Sequence, residues 1–176
     1  MQKIILIIIA VFFAFQAKAQ DDNKRTTDAK TGQEILIGTV TREGLMSMGD
    51  WFQQSYDTYT PDSTTVELIK SHSSNYPWVF IVLGTWCGDS REQVPHFFKV
   101  MDALQYPKEQ IFLVAVDRDK KAGNFCVGDY NIKLVPTFII TKDGDEMGRI
   151  IETPVQNIEK DFLDILNGRI SAPEGN

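Results

Sequence analysis

The tightest constraint on this chain is the stretch Trp78 to Ser90. Six apolar residues, Trp78-Val79-Phe80-Ile81-Val82-Leu83, stop at Gly84, and a helical pattern opens directly after Cys87. Apolar character that is continuous rather than alternating marks a strand buried on both faces. A strand of that kind needs covering layers, which points to an α/β domain. It also places the Cys87 thiol at the joint between a buried strand and a helix N-terminus. Unpaired N–H groups and the helix dipole there favour the thiolate, the reactive form.

The chain ahead of this core divides in two. Residues 1–19 have the pattern of an export signal: Lys3 at the start, an apolar run from Ile4 to Phe15, and Ala17-Lys18-Ala19 as a cleavage site. The apolar run falls short of the roughly 20 residues that span a bilayer. The expectation is therefore an exported protein, periplasmic or secreted, that begins at Gln20 and has no membrane span in its mature chain. Residues 20–34 are polar and charged and read as a flexible leader. A domain follows over 35–170, with 171–176 as a tail. Of 18 basic residues, Lys3 and Lys18 leave with the signal, against 24 acidic residues that all remain, a net of −8. That balance argues against nucleic acid and anionic membrane surfaces as partners.

Along the domain, Ile35 to Val40 is a strand candidate, and Leu45 to Tyr59 has helical spacing interrupted at Gly49. Ser63 to Lys70 reads as a short helix capped by Asp62 or Ser63. After Cys87, apolar residues at 94, 97, 98, 101 and 104 make a helical stripe, with Pro95 inside it as a kink. Ile111 to Val116 is a second buried strand, and Asn124 to Tyr130 could form one or two helical turns. Thr137 to Thr141 and Glu146 to Ile151 form a hairpin around Asp143-Gly144. The last helix, 155–167, is expected to be capped by Thr153, with Pro154 in its first turn and Val155, Ile158, Phe162, Ile165 and Leu166 on its apolar face.

Three features together resemble the thioredoxin family: Trp86-Cys87-Gly88, the proline at Pro95, and the run Tyr130 to Phe138 with Val135-Pro136-Thr137. The resemblance covers about residues 78–167. It implies a thioredoxin fold, a central mixed sheet flanked by helices, here with an N-terminal strand and helix extension. It also implies that Pro136 is a cis-proline packed beside Cys87. Val135 would then offer its backbone N–H and C=O to an extended peptide. Trp86, Gly88, Val135 and Pro136 become the substrate-binding set, with Cys87 and Ser90 as the catalytic pair.

Two departures change the expected chemistry. Ser90 stands where family reductases carry a second, resolving cysteine, and a hydroxyl is a poor nucleophile toward sulfur. It could still donate a hydrogen bond to the Cys87 thiolate. Ile81 occupies the position where family members often bury an acid that serves the resolving thiol. The expected function is monothiol thiol–disulfide exchange, as an isomerase or mixed-disulfide former. Its partners would be protein or peptide thiols and disulfides, with an external thiol reductant. The alternative is a non-catalytic binding module that uses the Cys87/Pro136 groove for a partner peptide.

The other candidates carry less. Cys126 reads as a small buried hydrophobe, or as a distant resolving partner. Asp89 opposes ionisation of the neighbouring thiol and Arg91 favours it, and the sequence does not decide which charge prevails. His96 is nine residues beyond Cys87, roughly 180° round the helix, so it is not a base for that thiol. With two histidines and two separated cysteines, neither a metal nor another cofactor is expected.

Overall fold

The computed structural model describes residues 22–72 and 75–171. The expected export signal, residues 1–19, lies outside them, as do residues 172–176 of the tail. A five-stranded sheet runs in the order β3 (Gly38–Val40), β5 (Ile111–Ala115), β4 (Trp78–Leu83), β6 (Thr137–Lys142), β7 (Asp145–Ile151). β4 and β5 are parallel and the other neighbours antiparallel, so the sheet is mixed. The helices are α1 (Arg42–Met46), α2 (Trp51–Thr58), α3 (Ser63–Lys70), α4 (Gly88–Leu104) and α5 (Ile158–Leu166).

Side chains alternate across the sheet and so build two cores. Val79, Ile81, Leu83, Leu113, Phe138 and Ile140 face the helices, where Phe52, Ile69, Phe97 and Phe162 meet them. Phe80, Val82, Val114 and Ile139 face the other way, under Val116, Ala122, Val127 and Val135 of the long connection between β5 and β6. That second face holds Trp86 and Cys87. Both Val114 and Ile139 are fully buried, as a central-strand reading requires. Trp78 differs: at the mouth of β4 it is 53% exposed.

The structure corrects several local expectations. The segment expected as a leader is partly ordered: β1 (Arg25–Thr27) pairs antiparallel with β2 (Glu34–Leu36) in a separate small sheet. The single strand expected over 35–40 is divided between the two sheets, and Gly38, at φ +86°, makes the bend. Gly49 divides the 45–59 helix into α1 and α2. Of the helical turns expected over 124–130, only a 3₁₀ turn at Gly128–Tyr130 forms.

The last helix also starts later than its sequence suggests. Asn157, not Thr153, is its cap, accepting from the Lys160 N–H at 2.9 Å. The buried Asp161 carboxylate takes the N–H groups of Val155 and Gln156, at 2.6 and 3.1 Å, which holds that stretch out of the helix. Val155, expected on the apolar face, is 90% exposed. The β6–β7 turn behaves as read, with Asp143 and Gly144 both at positive φ.

Candidate functional site

Cys87 is the N-cap residue of α4, with extended backbone (φ −93°, ψ 130°) and no cap bond from its side chain. The turn before it is closed by the Cys87 N–H donating to Gly84 O at 2.9 Å. The thiol donates to the Val135 carbonyl at 3.2 Å and lies 3.9 Å from an Asp89 carboxylate oxygen. Val135 is joined to Pro136 by a cis peptide bond. The thiol therefore sits between the start of α4 and the start of β6, on the β5–β6 side of the sheet. Gly88, next to Cys87, has open space where a side chain would stand.

Ser90 is placed differently from the sequence expectation. It is 1% exposed, and its Oγ accepts the Gly84 N–H at 3.1 Å rather than bonding the thiol. The hydroxyl thus ties the helix start to the end of β4. Ile81, at the position of the family's buried acid, lies fully buried in the apolar core.

Trp86 forms the flank of the site. Its indole N–H donates to Val116 O at 2.8 Å, and its ring lies over Gly84, where an added Cβ would come within 2.7 Å. Glycine is required there by close approach. The Arg118 guanidinium carbon stands 4.5 Å above the same ring, and Lys120 Nζ 5.7 Å from it. On the far side of Gly88 a groove of about 450 Å³ is lined by Trp51, Tyr59, Arg91, Glu92 and His96 among others. Arg91 bonds the Thr85 carbonyl at 2.6 Å and faces the Trp51 ring at 5.8 Å. His96 stacks on Tyr59 with centroids 4.3 Å apart, and burial lowers its pKa from the ordinary value. Burial, reinforced by the Glu159 carboxylate that accepts its hydroxyl, pushes the Tyr59 phenol up.

Val135 and Cys87 are thus in direct contact, while Ser90 lies behind them. Cys126 is a free, exposed thiol, not the buried one expected, and Cys87 is also unbridged. Among the described residues no group of three His, Cys, Asp or Glu could hold a metal, and no helix is long and apolar enough to cross a membrane.

The residues that sequence reasoning missed lie in the N-terminal hairpin. Asp28, 3% exposed, receives Arg118 in a two-pronged ion pair at 2.8 to 3.1 Å. It also accepts from the Thr31 hydroxyl at 2.6 Å and the Lys30 N–H at 3.3 Å. These partners, Arg118 first, hold its carboxyl far below the usual range. The signal was the run Asp28-Ala29-Lys30-Thr31-Gly32, an aspartate folding back on its own turn.

Residues 61–163, more than half of the chain, match the family model Thioredoxin. Thioredoxin-3 of Saccharomyces cerevisiae mitochondria is 29% identical over 114 residues, covering 65% of this chain and 85% of that protein. Its oxidised crystal structure aligns at 30% identity over 55% of this chain and 86% of that one, TM-score 0.33. Mitochondrial thioredoxin O of Oryza sativa is 29% identical over 98 residues, 56% of this chain and 54% of that protein.

Proposed function

This chain belongs to the thioredoxin family, whose thiol–disulfide redox role it shares in general, and we propose that it works as an exported monothiol exchange protein through Cys87. The observation that carries the reading is the thiol itself, held against the Val135 carbonyl at a helix start that lacks a side-chain cap, with open space over Gly88. In the exchange, the Cys87 thiolate attacks one sulfur of a substrate disulfide. A new S–S bond forms, the old one breaks, and the other substrate sulfur leaves as a thiolate. With Ser90 in the resolving position, release falls to an external thiol or to the substrate's own second cysteine. Either attacks the mixed disulfide and returns Cys87 as thiolate. Trp86, Gly88, Val135 and Pro136 bound the space that the substrate chain would occupy. Export to the periplasm or beyond is supported by the pattern of residues 1–19; mature protein from its host is expected to begin at Gln20 by intact mass.

One observation favours the second reading, a binding module. Both polar atoms that face the Cys87 sulfur, the Val135 carbonyl oxygen and an Asp89 carboxylate oxygen, are acceptors, so neither offers a hydrogen bond to an attacking thiolate. A single experiment separates the two. Mature protein is incubated with a disulfide-containing peptide and resolved under non-reducing conditions. Exchange chemistry gives covalent adducts that dissolve with reductant, persist in Cys126→Ser and vanish in Cys87→Ser. Ser90→Cys should shorten their lifetime by supplying an internal thiol to attack the mixed disulfide. Adducts that depend on Cys126, or none in the wild type, would leave the binding module in its place.

A further inference from the structure

The N-terminal hairpin reaches the site at two points. At the first, the Leu36 N–H donates to Thr85 Oγ1 at 3.0 Å, a buried bond that fixes β2 to the residue before Trp86. At the second, Asp28 grips the Nε and the outer nitrogen of Arg118 together. A fork-shaped pair of this kind fixes the plane of the guanidinium as well as its position. The Arg118 carbon then lies 4.5 Å over the Trp86 ring, whose other neighbours include Lys120 Nζ at 5.7 Å, the Val116 carbonyl and the bare Cα of Gly84. Asp28 in turn is set by Thr31, Lys30 and the turn bond from the Gly32 N–H to the Asp28 carbonyl at 2.8 Å. The hairpin precedes the family-matched residues 61–163, so this support comes from outside the matched region.

We infer that Asp28 and Arg118 are positioning residues: the hairpin, through this pair, holds the Trp86 ring as a fixed wall beside Cys87 for a bulky substrate. The ring is partly buried against the same apolar cluster as Cys87 and Val135. A ring released from the guanidinium keeps its Val116 bond and its apolar packing, but loses the flat restraint on its outer face and can shift toward the approach to sulfur. A small reagent would pass such a ring, whereas a peptide would have to displace it. The inference rests on Cys87 exchange for its rate consequences, but the position of Trp86 is testable without it.

The test uses full-length mature protein labelled with 5-fluorotryptophan, the Trp86 resonance being assigned from Trp86→Phe. Arg118→Lys keeps the charge toward Asp28 but loses the fork and the flat face. Asp28→Asn keeps the shape and loses the charge. Both should move and broaden the Trp86 resonance while leaving those of Trp51 and Trp78 in place. Mixed-disulfide formation with a peptide disulfide should slow about five- to tenfold, the scale of a lost cation–π contact near a partly buried ring. Alkylation of Cys87 by iodoacetamide should stay within about twofold. An unchanged Trp86 resonance, or equal slowing with both reagents alongside a lower unfolding temperature, would overturn the inference. Absence of peptide adducts in the wild type would instead defeat the exchange reading, and the fluorine spectrum would still decide whether the pair sets the ring.

Discussion

α4 and α5 begin in opposite ways. At α5, the Asn157 side chain takes the Lys160 N–H, and the Asp161 carboxylate gathers two more N–H groups from the approach. At α4, the cap residue is Cys87, whose side chain makes no cap bond, and the nearest hydroxyl, that of Ser90, turns back to the end of β4. A helix start whose N–H groups are satisfied by its own side chains is finished as structure. One that is not keeps those groups, and the dipole behind them, for an incoming negative charge. The family match at α4 thus goes with a physical difference in how the helix is built. Between these two helices the closed end serves stability and the open end presents sulfur; α2, whose cap residue Asp50 also makes no side-chain cap bond, shows that an open end alone does not mark a site.

Asp161 is the strongest restraint on the closed end. Its carboxylate is 2% exposed and serves two backbone donors of the exposed residues Val155 and Gln156, so Asp161→Ala hands both donors to water. The expected loss is about 2 kcal/mol by denaturant unfolding, the scale of two hydrogen bonds to a carboxylate exchanged for water. Adduct formation at Cys87 by the folded fraction should not change, and a slower rate there would show that the two helix starts are not independent. Asn157→Ala acts on the same end with less force, at about 1 kcal/mol. Here Thr153, the cap expected from sequence, has its chance: if it took over, α5 would lengthen toward Val155 and the loss would shrink toward zero.

A third measurement uses pH on α4 itself. Burial against Tyr59 lowers the pKa of His96, while Glu92 and Glu159 oppose the shift. Because the native value lies below the unfolded one, the neutral ring's contribution is present above about pH 6.5. It is lost as pH falls, since the unfolded chain takes up the proton first. Wild type should therefore lose stability relative to His96→Gln between about pH 7 and pH 5. Parallel curves would place the ring in solvent.

What the sequence disclosed follows from where local and tertiary preferences agree. β4, β5 and the β6–β7 hairpin were legible because their apolar residues have no alternative to a sheet interior, and Asp143-Gly144 can take the positive φ that its turn needs. The joint at Cys87 was legible for the same reason. The start of α5 was not: Thr153-Pro154 is a good local cap, but Asp161, a helical turn beyond the true cap, competes for the N–H groups that an earlier start would use. Asp28 was missed because its partner Arg118 lies 90 residues away, and a polar run offers no periodicity to read. Ser90 was assigned to the right locality but the wrong bond. The choice between Gly84 N–H and the Cys87 sulfur depends on a side-chain orientation that spacing does not encode.

The start of α4 itself can be closed by a single substitution. If the α4 start is open because it carries sulfur, closing it should stabilise the protein while ending its chemistry. Cys87→Ser does both with one atom. The backbone at Cys87 already has the extended geometry of an N-cap, so no rearrangement is needed. A hydroxyl there can accept from the N–H of Asp89 or Ser90, which the thiol does not do. Against this stands the lost contact of the thiol with Val135 O, a weak donor interaction that the hydroxyl can partly replace. The net expectation is a gain of about 0.5 kcal/mol, at the low end of cap substitutions. It would be read as a higher denaturant midpoint with an unchanged slope, alongside complete loss of peptide adducts. A loss of stability instead would mean that the half-buried sulfur contributes more through packing than the missing cap takes away. The contrast between α4 and α5 would then reflect packing at Val135 rather than an end kept open for reaction.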